Sequence, residues 1–133
     1  MKAPYGYMPS IEKNTIGSVP LFYRRKYYIV KNHFVEDFNH LFNNINLPNQ
    51  LKHGTRFVGR WMMPLENDET EIFAIWEYDS KEDYQRIEKN VRSDEAHVAR
   101  INQWFEERGG RAHLGKTAFV VIRDEEIFNT VPA

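Results

Sequence analysis

The stretch HGTRFVGRWMMPLENDETEIFAIWEYDS, residues 53–80, decides the fold. Two runs rich in β-branched and aromatic residues, 55–63 and 71–79, flank the polar loop PLENDET and read as the two strands of a hairpin. Before it, apolar residues recur at Phe34, Val35, Phe38, Leu41, Phe42 and Ile45, a spacing of threes and fours that draws one stripe on a helix. Pro48 lacks an amide donor and restricts its predecessor, so it is expected to stop that helix. NQLKHG then adds a short turn closed by Gly54 in a left-handed cap. After the hairpin, Ser80 with Asp83 three residues on opens a helix whose apolar positions are Tyr84, Ile87 and Val91. Ser93, followed by Asp94 and Glu95, starts another, with Val98, Ile101 and Phe105 inward and a stop at Gly109 and Gly110. LFYRRKYYIVK, 21–31, and KTAFVVIRD, 116–124, supply the first and last strands.

The order β-α-β-β-α-β predicts a ferredoxin-like α+β fold, a four-stranded antiparallel sheet with its helices on one face. The last strand is apolar on both faces, which implies burial on both, yet this topology places it at a sheet edge, where an uncovered apolar strand is adhesive. Two sheets packed face to face in a two-fold homodimer provide the cover. Residues 1–20 hold three prolines and two glycines without apolar periodicity and read as an extended arm, followed by one domain, 21–128, and a tail, 129–133.

Composition narrows the function classes. A chain of 133 residues, 41% hydrophobic and 14% aromatic, is long enough for one real core. Eighteen Lys and Arg against 19 Asp and Glu leave a formal charge of -1, so no global field gathers nucleic acid or an anionic membrane. The absence of cysteine removes disulfides, thiolate metal sites and a cysteine nucleophile, and fits a reducing cytoplasm. No signal-like or membrane-spanning apolar run is present, so the chain reads as soluble and cytoplasmic. His33, His40, His53, His97 and His113 include no i, i+4 pair and no His-Glu-x-x-His, which argues against zinc. Arg24-Arg25-Lys26 alternates across the two faces of a strand and is no contiguous basic patch, and Gly109-Gly110 is a helix stop rather than a phosphate loop. Neither metal nor cofactor is expected.

Register decides what the hairpin does, because a one-residue slip exchanges its faces. In one parity Arg56, Val58, Arg60 and Met62 share a face with Phe73, Ile75, Glu77 and Asp79, giving the two arginines carboxylate partners. The other face then holds Phe57, Gly59, Trp61, Met63, Ile72, Ala74, Trp76 and Tyr78. The alternative parity puts Arg60 beside Trp76 and Tyr78 and leaves Glu77 among apolar groups, so the cost of desolvation favours the first. Two readings of the aromatic face stay open. Either Gly59 and Ala74 make room for Phe38 and Phe42 in an ordinary core, or Trp61 and Trp76 wall a flat apolar cavity with Tyr78 as its polar handle.

YRRKYYIVKNHFVEDFNHLF, LPNQLKHGTRFVGRW and IWEYDSKEDYQRIEKNVRSDEAH resemble the NIPSNAP family of the dimeric α+β barrel superfamily, over roughly residues 22–125. The most specific parts are Gly-x-x-x-Val-Gly-x-Trp, ending at Trp61, and Trp76-Glu77-Tyr78-Asp79-Ser80 leading into a helix. The resemblance implies a barrel-forming homodimer with a pocket between sheet and helices in each subunit. It implies no reaction, since bacterial members generally lack an assigned substrate and animal members are linked to vesicle traffic and mitochondrial quality control. Superfamily relatives include cofactor-free monooxygenases, haem-degrading enzymes and lactone isomerases, an analogy of fold only.

The expected function is the binding of an apolar or aromatic small molecule by Phe38, Gly59, Trp61, Trp76 and Tyr78. The alternatives are a cofactor-independent monooxygenase or isomerase, with His53, His97 or Tyr78 moving a proton, and a protein-interaction scaffold that makes its contact through the arm. His97 occupies the helix on which haem-degrading relatives carry an iron ligand, but it reads as an exposed helical histidine, and His53 as a loop residue. Since no core periodicity lies in 1–20, deleting those residues is expected to leave the melting temperature and the oligomeric state of the domain nearly unchanged, as read by thermal melts and sedimentation.

Overall fold

Strand β5, Glu69–Tyr78, alternates without a break: Thr70, Ile72, Ala74, Trp76 and Tyr78 are buried and the residues between them are half-buried. This is the pattern of a central strand with one face on a core. In the computed structural model, which describes residues 15–16 and 19–131, β5 lies between β4, Arg56–Pro64, and β3, Phe22–Lys31, with β6, Phe119–Ile127, at the far edge. All neighbours are antiparallel in the order β4-β5-β3-β6, the ferredoxin-like arrangement. A separate two-stranded pair, β1 (Thr15–Ile16) and β2 (Val19–Pro20), precedes the sheet. The rest of the expected arm, 1–14 and 17–18, and the last two residues of the expected tail lie outside the described residues.

The first helical segment runs further than expected. A short 3-10 turn, Asn32–Phe34, leads into α1, Val35–Leu41, which passes through a π-helical turn, Phe42–Asn46, into α2, Leu47–Lys52. Pro48 does not stop the helix. The wider turn sends the Leu47 amide back five residues to the Phe42 carbonyl, and Pro48 then sits in the first turn of α2, where a missing amide costs little. The chain ends this helix at Gly54, φ 102°, with the Thr55 amide donating to the Gln50 carbonyl at 3.1 Å. The hairpin loop narrows to 65–68, with Asn67 and Asp68 both at φ 62°, a backbone region these two residue types tolerate.

Helix α3, Lys81–Ser93, opens as expected on Ser80, whose Oγ accepts from the Asp83 amide at 3.0 Å. Helix α4, Glu95–Glu106, is capped one residue later than expected, by Asp94, because the Ser93 hydroxyl donates instead to the Lys89 carbonyl. Its inward stripe is also turned: His97 and Trp104 are buried while Val98 is exposed. A short helix not anticipated, α5 (Arg111–Thr117), follows Gly110 and delays β6 to Phe119. Its sequence, RAHLGKT, carries no apolar stripe, and the helix is anchored by the single buried Leu114. Strand β6, at the sheet edge, is not buried on both faces in this chain; Ile122 is 61% exposed.

The core is divided in two. Val30, Phe34, Phe38, Leu41, Ile72 and Trp104 form one apolar cluster with Leu114 and Ala118. Phe22, Phe42, Ala74, Trp76, Tyr78 and Ile87 form the other. Among the described residues no helix is long and apolar enough to cross a membrane.

Asp94 ties the end of α2 to the start of α4. One carboxylate oxygen accepts from the His97 amide at 3.2 Å; the other accepts from Lys52 Nζ at 2.9 Å and lies 2.8 Å from His53 Nε2. The His53 contact first, then Lys52 and the His97 amide, hold the Asp94 carboxyl well below the usual carboxylate range. A depressed folded value means that its contribution to stability is present above the ordinary value of 3.8 and is lost as pH falls below it. Asp94→Asn keeps a capping side chain but loses the charge. The variant is expected to melt below the wild type at neutral pH, with the gap closing in acid below the ordinary carboxylate value; melting curves from about pH 7 down to about pH 2 check this.

Candidate functional site

Between the two apolar clusters lies a cavity of about 450 Å³, roofed by the helices and floored by the sheet. That volume is within the range of small-molecule sites. Its wall is mostly apolar: Phe38, Leu41 and Phe42 from the first helical segment, Trp76 from the sheet, and Ile101 and Phe105 from α4. Phe119 and Ile122 continue it toward the edge strand.

The hairpin register explains what else reaches the cavity. Arg56 pairs with Glu77 and Phe57 with Trp76, the favoured parity, but a β-bulge at Val58 then adds one residue, so that Gly59 faces Ile75, Arg60 faces Ala74 and Trp61 faces Phe73. Each half of β4 follows a different parity. Arg56 stays on the outer face, donating to Glu77 at 2.6 Å and to Asp79 at 2.7 Å. Arg60 is turned inward, correcting the expectation that Glu77 or Asp79 would neutralise it.

Trp61 and Gly59 are corrected by the same bulge. Both lie on the outer face, where the indole of Trp61 covers Gly59, packs against Phe73 at 5.6 Å between ring centroids, and is 49% exposed. The missing side chain of Gly59 therefore makes room for Trp61, not for Phe38 or Phe42. Trp76 and Phe38 do line the cavity; Trp76, 3% exposed, also packs on Phe42 and Phe57, so it belongs to both core and wall. Tyr78 is fully buried in the second cluster and is not among the lining residues, and burial pushes its hydroxyl far above the ordinary tyrosine value. His53 faces Asp94 rather than the cavity.

His97 is the opposite of the exposed residue expected. It is 8% exposed, lines the cavity, and its Nδ1 has no hydrogen-bond partner among the described residues. Burial lowers its pKa, so it is neutral at pH 7. Further polar side chains line the cavity, Lys26, Asn46, Gln50, Arg60, Glu88 and Arg111, none of them offered as a site residue from the sequence. Burial pulls the Arg60 guanidinium down to about 10; its Nη1 donates to Asn39 Oδ1 at 2.5 Å, while its buried Nη2 has no partner among the described residues. Burial is the largest single influence on the Lys26 ammonium and works against it, but Asp124, 3.4 Å away, together with Tyr28 and Glu88 outweighs it and the pKa is raised. The buried Oε2 of Glu88 is likewise unpartnered. The signals were present: an isolated glycine inside a strand marks a bulge, Lys26 shares the parity of Phe22, Tyr28 and Val30, and Glu88 falls between Tyr84 and Val91 on the helix stripe. Among the described residues no group of three or more His, Asp or Glu side chains is placed to hold a metal.

No protein-family model matches the chain, and no curated protein matches it. Solved structures do. A NIPSNAP family protein of unknown function from Agrobacterium tumefaciens strain C58 superposes with a TM-score of 0.59 at 16% identity, over 83% of this chain and 88% of that one. A second NIPSNAP family protein from the same strain gives 0.62 at 13% identity, over 83% and 86%. An uncharacterized NIPSNAP-like domain protein from Burkholderia xenovorans gives 0.56 at 14%, over 85% of each chain. The arrangement of β3 to β6 with α1 to α5 is thus the fold of NIPSNAP-family structures.

Proposed function

We propose that this chain is a NIPSNAP-like homodimer of the cytoplasm that binds an apolar or aromatic small molecule between its sheet and its helices. The observation that carries the reading is the divided core: a 450 Å³ space lies where a folded chain of this size ordinarily packs solid. Its wall combines aromatic rings with a few polar atoms that lack internal partners, the composition of a ligand site. A cofactor-independent isomerase or oxygenase is the second reading, and His97 is the observation that favours it. A buried imidazole that lines the cavity and has a ring nitrogen without a hydrogen-bond partner among the described residues is a group able to take up a proton.

Homodimerisation rests on the uncovered side of the sheet. Trp61 and Met63 are exposed on that side, beside Phe73. A partner sheet would cover that face and bury more than the roughly 1,600 Å² typical of stable complexes. Sedimentation at micromolar concentration is expected to show a dimer, and a folded monomer there would remove this part of the reading.

Native mass spectrometry of protein from its own host tests the ligand, and a Trp76→Ala variant tests where it sits. Because Trp76 packs on one side and borders open space on the other, its loss is expected to cost about 2 to 3 kcal/mol, short of the value for a tryptophan buried on every side. Binding of any co-purified ligand is expected to disappear in the same variant. Denaturation curves and binding titrations on the two proteins check both; a variant that binds as well as the wild type places the ligand elsewhere. Conversion of a bound ligand, lost in His97→Ala, would favour the second reading.

A further inference from the structure

One row across the sheet concentrates charge in the cavity. Arg60 on β4 is paired with Ala74 on β5, Ala74 with Lys26 on β3, and Lys26 with Asp124 on β6. Two cations therefore flank a methyl group, with their backbones about 10 Å apart across two strand spacings. The two are not equivalent. Lys26 already has Asp124 at 3.4 Å, and the Glu88 carboxylate adds to the field upon it. Arg60 has no carboxylate within 4.0 Å among the described residues, only the neutral amide of Asn39 and the rings of Phe42 and Phe38, 4.5 and 5.2 Å from its guanidinium carbon. A half-buried cation whose Nη2 is buried without a partner among the described residues is a costly arrangement unless an anion completes it.

Resting on the reading of this cavity as a ligand site, we propose that its ligand is a flat aromatic or apolar molecule bearing one carboxylate, which sits over Ala74 beside the Arg60 guanidinium. The geometry gives each part of such a molecule a place. Ala74 is the small floor that leaves room for the carboxylate beside the guanidinium, and a carboxylate suits the planar donor fork of arginine. The apolar body then lies against Trp76, Phe42 and Phe105. Glu88, whose carboxylate lines the same cavity, repels a second carboxylate and limits the ligand to one.

The test uses the full chain and three probes of one shape: 2-naphthoate, its neutral amide 2-naphthamide, and naphthalene-2,6-dicarboxylate, titrated calorimetrically near pH 7. The monoacid is expected to bind at least about tenfold more tightly than the amide, the scale of one hydrogen bond to a charged group. It should exceed the diacid by a similar factor. Arg60→Gln should abolish the preference for acid over amide, Glu88→Gln should narrow the gap between monoacid and diacid, and Lys81→Gln, on the exposed start of α3, should change neither. Thermal melts of each variant establish that it is folded, and the wild-type probe series stands without them. An amide or a diacid that binds the wild type as well as the monoacid overturns the inference, as does an acid preference that survives in folded Arg60→Gln. If the amide binds and the acid does not, the cavity remains a ligand site and only the carboxylate is wrong. If no probe binds even at millimolar concentration, the inference and the reading beneath it fall together.

Discussion

The extra residue at Val58 sets the character of both faces of the sheet. A regular β4 would carry Arg56 and Arg60 on one side and Phe57, Gly59 and Trp61 on the other, because side chains alternate with a period of two. That pattern would force a choice. Either both arginines leave the cavity and Trp61 crowds in beside Trp76, or both enter it and Glu77 loses its partner. The bulge lets the first half of the strand keep the Arg56–Glu77–Asp79 cluster outside while the second half turns Arg60 in and Trp61 out. Gly59, immediately after the bulge, supplies the flat backbone on which the Trp61 indole lies.

This arrangement also accounts for the divided core. Trp61 is the side chain large enough to have filled space near Ala74, and it lies on the opposite face. What enters instead is a long cation whose head is held at the cavity wall by Asn39 and by two phenylalanine rings. Rings next to a guanidinium recover part of its lost hydration through their quadrupoles, but less than a carboxylate does. The neighbouring π-helical turn, Phe42–Asn46, belongs to the same economy of space. By inserting a residue into the helix it presents Phe42 and Asn46 to the cavity and lets the helix continue across Pro48.

Most of the fold was legible because it rests on periodicity. The alternation of β5, the three-and-four spacing of Phe34 to Ile45 and the Ser80 cap are local patterns with one physical meaning each, and the strand order follows from them. What escaped rests on single residues that break a period. Pro48 was read by its usual effect, which a π-turn cancels. RAHLGKT shows no stripe, so nothing local announces α5, which depends on the burial of Leu114. The lining of the cavity was legible in part, for Trp76 followed from the parity of its strand and Phe38 from the helix stripe, but the positions of Trp61 and Arg60 turned on a bulge whose one local sign is Gly59. His97 was misjudged because a helix stripe was drawn through Val98; rotating it by one residue places His97 and Trp104 inside.

The outer face shows why an uncovered sheet need not be purely apolar. Its charges are already matched in pairs: Tyr23 donates to Glu77 at 2.7 Å, Tyr27 donates to Glu71, and Arg25 donates to Glu125 at 2.8 Å while its guanidinium lies 4.7 Å from the Tyr27 ring centre. A partner laid over this face would not have to find a counter-charge for each group, so desolvation would cost less than for isolated ions. The apolar parts, Trp61, Met63 and Phe73, gather on the β4 side of the same face and supply the area that drives association. Inside, by contrast, Arg60 Nη2 and Glu88 Oε2 have no hydrogen-bond partner among the described residues, in side chains that line a space the chain does not fill. Paired charges suit a surface that is to be covered by protein, whereas unpaired charges beside a cavity suit one that is to receive a small polar ligand.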